Sequence, residues 1–95
     1  MIFAILLLLA QSWGWWPWDN LAWCESRGQW HIATGNGFYG GLQIMESTWL
    51  ANGGAAYASY PHYATREDQI AVAEVILANG GWSQWPACSR ILGLR

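Results

Sequence analysis

The sequence predicts an α+β fold, mostly helical: a small domain with a short β and turn region and one disulfide. Three observations carry that prediction. Four stretches read as helices, each bracketed by a start or a stop signal. Between the first two lies a glycine-rich run, Thr34-Gly35-Asn36-Gly37-Phe38-Tyr39-Gly40-Gly41, whose tight-turn pairs suit small β pieces and loops rather than a full sheet. The chain has two cysteines, Cys24 and Cys88, without a C-x-x-C spacing, which allows a single long-range bridge.

Residues 1–17 differ in composition from the rest, and the domain proper is assigned to residues 18–95. Ile2 to Ala10 is an unbroken apolar run of signal-peptide length, but no Lys or Arg precedes it and Leu-Leu-Ala is a poor cleavage signal. The run is too short to span a bilayer, which takes about 20 residues. Three readings stay open: an atypical signal peptide, an uncleaved hydrophobic anchor, or a segment that docks on a membrane, a virion or another protein. Trp13, Trp15, Trp16 and Trp18, broken by Gly14 and Pro17, suit an interfacial belt or a linker.

The first helix runs through Asp19-Asn20-Leu21-Ala22-Trp23-Cys24-Glu25-Ser26-Arg27, with Asp19 expected to cap its start and Gly28 to take a left-handed position at its end. Trp18, Leu21, Ala22 and Glu25 share one face at helical spacing, so a carboxylate stands on the apolar side. Burial and the negative end of the helix dipole both disfavour its anion, which raises its pKa. Such a group is either a general acid or a structural glutamate paired with an arginine.

Gln29 to Ile44 follows as turns around short aromatic pieces, with glycines that let a backbone approach a ligand or merely close a tight loop. Met45 to Asn52 reads as a short helix with Trp49 in the core, stopped by Gly53-Gly54. Ala55 to Ala64 has no clear period and reads as an ordered loop, in which His62 is expected at the surface rather than as a base. Thr65-Arg66-Glu67-Asp68 resembles a capping box, and the helix behind it, Gln69 to Asn79, ends at Gly80-Gly81. Its apolar residues Ile70, Val72, Val75, Ile76 and Leu77 predict the buried centre of the fold, with Glu74 a second candidate buried acid. Pro86 opens a last short helix that Gly93 ends, and Cys88 lies in its first turn.

Composition removes several classes of function. With no lysine, four arginines, six acids and a formal net charge of −2, the chain lacks the field that phosphate-backbone binding requires, so no nucleic-acid partner is expected. Two cysteines and two distant histidines do not make a zinc site, and no metal or other cofactor is expected. Nine tryptophans exceed what one small core hides, so some should line a groove or an interface. A domain of 95 residues buries only roughly 60 to 65% of its unfolded surface. A Cys24–Cys88 bridge would add about 4 kcal/mol on the chain-entropy model and implies an oxidising compartment.

A lone acid in an aromatic, glycine-lined groove points towards glycosidic-bond cleavage, where a protonated carboxyl serves the leaving oxygen. The usual second carboxylate has no obvious candidate, since Asp19 is assigned to a cap, Glu46 stands near a helix start and Glu67 and Asp68 fill a first turn. One-acid cleavage then requires a nucleophile from the substrate itself, or water at a stabilised oxocarbenium ion.

Residues 18–95 also resemble the catalytic domain of actinobacterial resuscitation-promoting factors. The resemblance is carried by Trp18-Asp19, Cys24-Glu25-Ser26, Trp30, Thr34 to Gln43, Ser47-Thr48-Trp49, Thr65 to Glu74, Gly81-Trp82 and Trp85-Pro86-Ala87-Cys88. It implies a lysozyme-like fold related to soluble lytic transglycosylases, secreted or associated with the cell wall. The implied reaction is cleavage of the β-1,4 bond between N-acetylmuramic acid and N-acetylglucosamine in the glycan strands of peptidoglycan. It also implies Glu25 as the catalytic acid, Cys24 with Cys88 as the family's disulfide, and Trp30, Tyr39, Gly40, Gln43 and Thr48 as glycan-binding positions. Two departures stand out. Arg27 and Gln29 replace Gly and Asn after Cys-Glu-Ser, and an arginine folded back on Glu25 would lower its pKa. Gly80 replaces a glutamine before Gly-Trp, which removes a polar side chain near the site. The alternative from another class is a non-catalytic wall-binding or phage-virion structural module.

Overall fold

The computed structural model describes residues 16–95, so the readings of residues 1–15 lie outside the described residues. Among the described residues four α-helices make the frame: α1 (Trp18–Ser26), α2 (Glu46–Ala51), α3 (Arg66–Gly80) and α4 (Pro86–Ile91). Short 3-10 turns at Gly54–Ala56, Pro61–Tyr63 and Gly81–Gln84 join them, two of them inside the stretch expected as an ordered loop. The β contribution among the described residues is two isolated antiparallel bridges, Ala33 with Tyr39 and Tyr39 with Ile44. The result is a mostly helical domain with one disulfide, Cys24–Cys88.

The first helix starts differently from expectation. It begins at Trp18 behind Pro17, and no side chain caps it. Asp19 is drawn off by Arg66, whose Nε and second guanidinium nitrogen donate to its two carboxylate oxygens at 2.9 and 2.6 Å. A two-pronged charged contact outweighs one neutral cap bond, and it ties α1 to the start of α3. The end of α1 turns left-handed one residue early, with Arg27 at φ 59° and Gly28 at φ 74°. The N–H groups of these two residues bond the carbonyls of Trp23 and Ala22.

The capping of α3 follows the sequence: Thr65 Oγ1 accepts from Asp68 N at 3.1 Å. The helix is not enclosed all round, however. Val72, Ala73 and Ile76 are buried with Gln69, whereas Val75 is 43% exposed. Glu74 is a surface residue that accepts a hydrogen bond from Trp18 Nε1 at 2.7 Å, so it is not a buried acid.

The core runs from Trp18, Leu21 and Ala22 of α1 through Leu42, Ile44 and Trp49 to α3, then to Trp85 and Cys88. Trp18, Trp49 and Trp85 are fully buried, and each indole N–H is satisfied, by Glu74, by the Ala58 carbonyl and by the Leu42 carbonyl. Trp18, Trp82 and Trp85 form a ring cluster with centroids 5.4 to 5.9 Å apart. Among the described residues, Trp16 and Trp23 are exposed tryptophans, at 63 and 62%.

Gln69 is the buried polar centre. Its Oε1 accepts from Gly41 N, and its Nε2 donates to the carbonyls of Trp30 and Ala64. A Cβ on Gly40 would come within 2.5 Å of that Oε1, and one on Gly41 within 2.4 Å of the Trp30 ring. Glycine is therefore required at both positions for the loop to lie on α3 and Trp30.

Candidate functional site

Glu25 occupies the last turn of α1, and each of its chain neighbours is a tether. Cys24 is bonded to Cys88 in α4, with 5.9 Å between their Cα atoms. Ser26 is buried, and its Oγ donates to the Gly41 carbonyl at 2.8 Å while accepting from Gln29 N at 3.1 Å. One neighbour thus fixes the glycine loop and the other fixes α4, which places the carboxylate between the two.

The surface between them is a trough formed by two adjoining depressions. The first, about 270 Å³, is lined by Glu25, Phe38, Gln43, Gln84, Pro86 and Ala87. The second, about 180 Å³, continues over the same Phe38, Gln43 and Gln84 to Ile44, Met45, Thr48 and Trp85. Glu25 therefore stands at one end and Thr48 along the other part. Gln43, in the shared wall, has a left-handed backbone at φ 53°, a conformation that non-glycine residues adopt at a cost and that concentrates at functional sites. Its Nε2 donates to the Gly40 carbonyl at 3.0 Å, which closes the turn.

Glu25 is half-buried, and burial pushes its carboxyl above the ordinary carboxylate range. Among the described residues it has no ion-pair or hydrogen-bond partner. Arg27, two residues on, does not reach it, because the guanidinium lies over the Trp23 ring at 5.8 Å from its centroid. Among the described residues no second acid lines the trough. Asp19 and Glu67 are held by Arg66, and Glu74 by Trp18. Among the described residues no group of three His, Cys, Asp or Glu side chains is placed to hold a metal ion.

The structure brings together Glu25, Gln43 and Thr48 but sets three other sequence candidates apart. Trp30 is packed over Gly41, with the Arg66 guanidinium 5.6 Å from its ring centroid. Gly40 is buried against Gln69 and Pro61. Tyr39 sits in the two isolated bridges, to Ala33 and to Ile44. Its ring joins Tyr60 and His62 at 5.0 and 5.2 Å instead of the trough. His62 stacks in that same cluster, and its carbonyl meets His31 Nδ1 at 2.9 Å.

Sequence reasoning missed Phe38 and Gln84. The signal for Gln84 was the disulfide: a residue four positions before Cys88 must lie near Cys24 and hence near Glu25. The Gly80 departure also looks different in three dimensions, since a Cβ on residue 80 would stand 3.4 Å from Gln84 Nε2. A carboxamide is therefore present beside Gly80, supplied from one turn later.

Comparison with known proteins bears on the same region. Residues 14–88 match the transglycosylase-like domain family. The chain is 62% identical over 77 residues to resuscitation-promoting factor Rpf1 of Corynebacterium glutamicum, covering 81% of this chain and 40% of that protein. It is 54% identical over 78 residues to resuscitation-promoting factor RpfB of Mycolicibacterium smegmatis, covering 82% of this chain and 22% of the relative. To resuscitation-promoting factor Rpf of Micrococcus luteus it is 53% identical over 77 residues, 81% of this chain and 33% of the relative. The chain thus spans less than half the length of these curated relatives.

Proposed function

The chain belongs to the transglycosylase-like domain family, and from that membership we propose that it cleaves the glycan strands of peptidoglycan with Glu25 as general acid. The fold carrying this chemistry is read as lysozyme-like, and the place of action as the cell wall. The observation that carries the reading is a single unpaired carboxyl, raised by burial, in the wall of an open trough.

The bond assigned to the enzyme is the β-1,4 link between N-acetylmuramic acid and N-acetylglucosamine. Protonated Glu25 gives its proton to the bridging oxygen as the C1–O bond breaks, and the electron pair leaves with the N-acetylglucosamine hydroxyl. The muramic C1 becomes oxocarbenium-like. With no second carboxylate in the trough, the nucleophile is the substrate's own 6-hydroxyl: its oxygen bonds C1 and its proton passes to the Glu25 carboxylate. The products are a 1,6-anhydro muramic end and a new free end, and the acid is regenerated. Thr48, Gln43 and Phe38 would hold the strand along the trough.

The test is zymography on purified peptidoglycan with wild type and Glu25→Gln, followed by mass spectrometry of the products. A cleared band for wild type, none for the variant, and anhydro-muropeptides among the fragments are expected. A protein that retains glycan without clearing it would be a wall-binding module instead, and fragments without anhydro ends would make water the nucleophile.

A further inference from the structure

We propose that Gln84 is a glycan-binding residue of the trough, its carboxamide hydrogen-bonding the acetamido or hydroxyl groups of the sugar lying between Glu25 and Thr48. The inference rests on the glycan-cleaving reading above and names a contact of that same site.

Three residues line both halves of the trough: Phe38, Gln43 and Gln84. Phe38 offers only a ring face. Gln43 spends an N–H on the Gly40 carbonyl. Gln84 is exposed and lines both depressions, and its carboxamide has no hydrogen-bond partner among the described residues, so two donors and an acceptor are left open at the trough wall. An N-acetylated sugar presents the complement, an amide N–H, an amide carbonyl and adjacent hydroxyls.

The base of Gln84 is rigid, which lowers the cost of binding through it. It ends the 3-10 turn Gly81–Gln84, in which Ser83 Oγ donates to the Gly80 carbonyl at 2.8 Å and Trp85 N to the Trp82 carbonyl at 2.9 Å. The next residue, Trp85, is fully buried and anchored to the Leu42 carbonyl. Gly80 matters as the floor: the amide lies 3.4 Å from where its Cβ would be, so the bare glycine leaves the carboxamide its room. Residue 80 has φ −131°, which any side chain adopts, so the carboxamide can be moved there without backbone strain.

The experiment uses a soluble tetrasaccharide of alternating N-acetylglucosamine and N-acetylmuramic acid, with kcat, KM and the thermal midpoint measured for each protein. For Gln84→Ala, KM rises about three- to tenfold, the value of one or two net hydrogen bonds, while kcat stays within about twofold and the thermal midpoint is unchanged. For the double variant Gly80→Gln, Gln84→Ala, which relocates the same group, KM returns at least halfway. An unchanged KM in Gln84→Ala with wild type active overturns the proposal and leaves the glycan-cleaving reading standing. A KM rise that comes with a fallen thermal midpoint and no rescue also overturns it, as a packing effect. Wild type that neither cleaves nor, by calorimetry, binds the tetrasaccharide overturns the underlying reading and this proposal with it.

Discussion

Two polar side chains stand in partly or wholly desolvated surroundings, and the protein treats them oppositely. Gln69 is fully buried and has its oxygen and both N–H groups engaged, by Gly41 N and by the carbonyls of Trp30 and Ala64. Glu25 is half-buried at a helix end and has no such partner among the described residues, so burial pushes its carboxyl up. A satisfied buried amide fixes a loop; an unsatisfied carboxyl is held ready for something that arrives from outside. The difference separates scaffold from site, and substitutions at each should separate stability from activity.

The largest effect is expected at Glu25. Replacing it by glutamine removes the proton donor while keeping the shape, and cleavage should fall by about 10²- to 10⁴-fold, the usual worth of a positioned acid. Stability should move the other way. The folded pKa of Glu25 lies above its unfolded one, so between the two values the native state holds a proton that the unfolded chain has released. Stability therefore declines as pH rises through that window and is unaffected below it. Glu25→Gln escapes the decline, so its thermal midpoint should exceed that of wild type at neutral pH and match it in acid. An equal midpoint at both pH values would mean that Glu25 carries no burial strain and that the contrast with Gln69 is false.

The tether beside Glu25 comes next. Replacing Cys24 and Cys88 together by serine opens a 64-residue separation and should cost about 4 kcal/mol, read as a lowered midpoint in thermal unfolding. Cleavage should weaken even where the protein is folded, because Pro86 and Ala87 of α4 line the same depression as Glu25 and α4 is no longer bonded to α1. Loss of stability with full activity per folded molecule would assign the placement of Glu25 to Ser26 and the glycine loop alone.

Gln69→Ala tests the scaffold half. It leaves one N–H and two carbonyls inside the core without partners, which should cost about 3 kcal/mol in a denaturant titration. Activity should fall only in step with the folded fraction. A drop in kcat beyond that fraction would show that the loop carrying Phe38 and Gln43 depends on Gln69 for its working geometry.

Much of this contrast was legible in the sequence, and its gaps have physical causes. The cap at Thr65, the stops at Gly80-Gly81 and the half-buried position of Glu25 are local signals that the helix pattern carries, and the disulfide follows from there being two cysteines. The Asp19 cap failed because Arg66, 47 residues away, competes for the same carboxylate, and helix-start rules do not see distant cations. Glu74 reads as a candidate buried acid because α3 is apolar on most sides, yet Val75 beside it is exposed and the core touches one face only. Tyr39 and Gly40 are glycan positions by the family resemblance alone, and in the structure it is their chain neighbour Phe38 that lines the trough. Which of Phe38 and Tyr39 faces the trough depends on register, and a single-residue shift inverts the answer. Gln69 gave no signal at all, since a glutamine after a helix cap reads as surface.

The smallest effect tests the neighbour of Glu25 that the sequence left most open. Arg27 sits at φ 59°, where a non-glycine side chain costs about 1 kcal/mol, and the guanidinium rests on Trp23. Arg27→Gly removes that strain but frees the unfolded chain and gives up the cation–π contact, each worth roughly half a kcal/mol or more, so a change within about 0.5 kcal/mol is expected in thermal unfolding. The pH profile of cleavage is the sharper readout. A cation acting on Glu25 would hold its pKa down, and deleting it would carry the alkaline limb to higher pH. Because Arg27 turns to Trp23 and makes no ion pair with Glu25, the limb should stay where wild type has it. A limb that moves up would place the guanidinium on the carboxylate during turnover, and Glu25 would then have a partner after all.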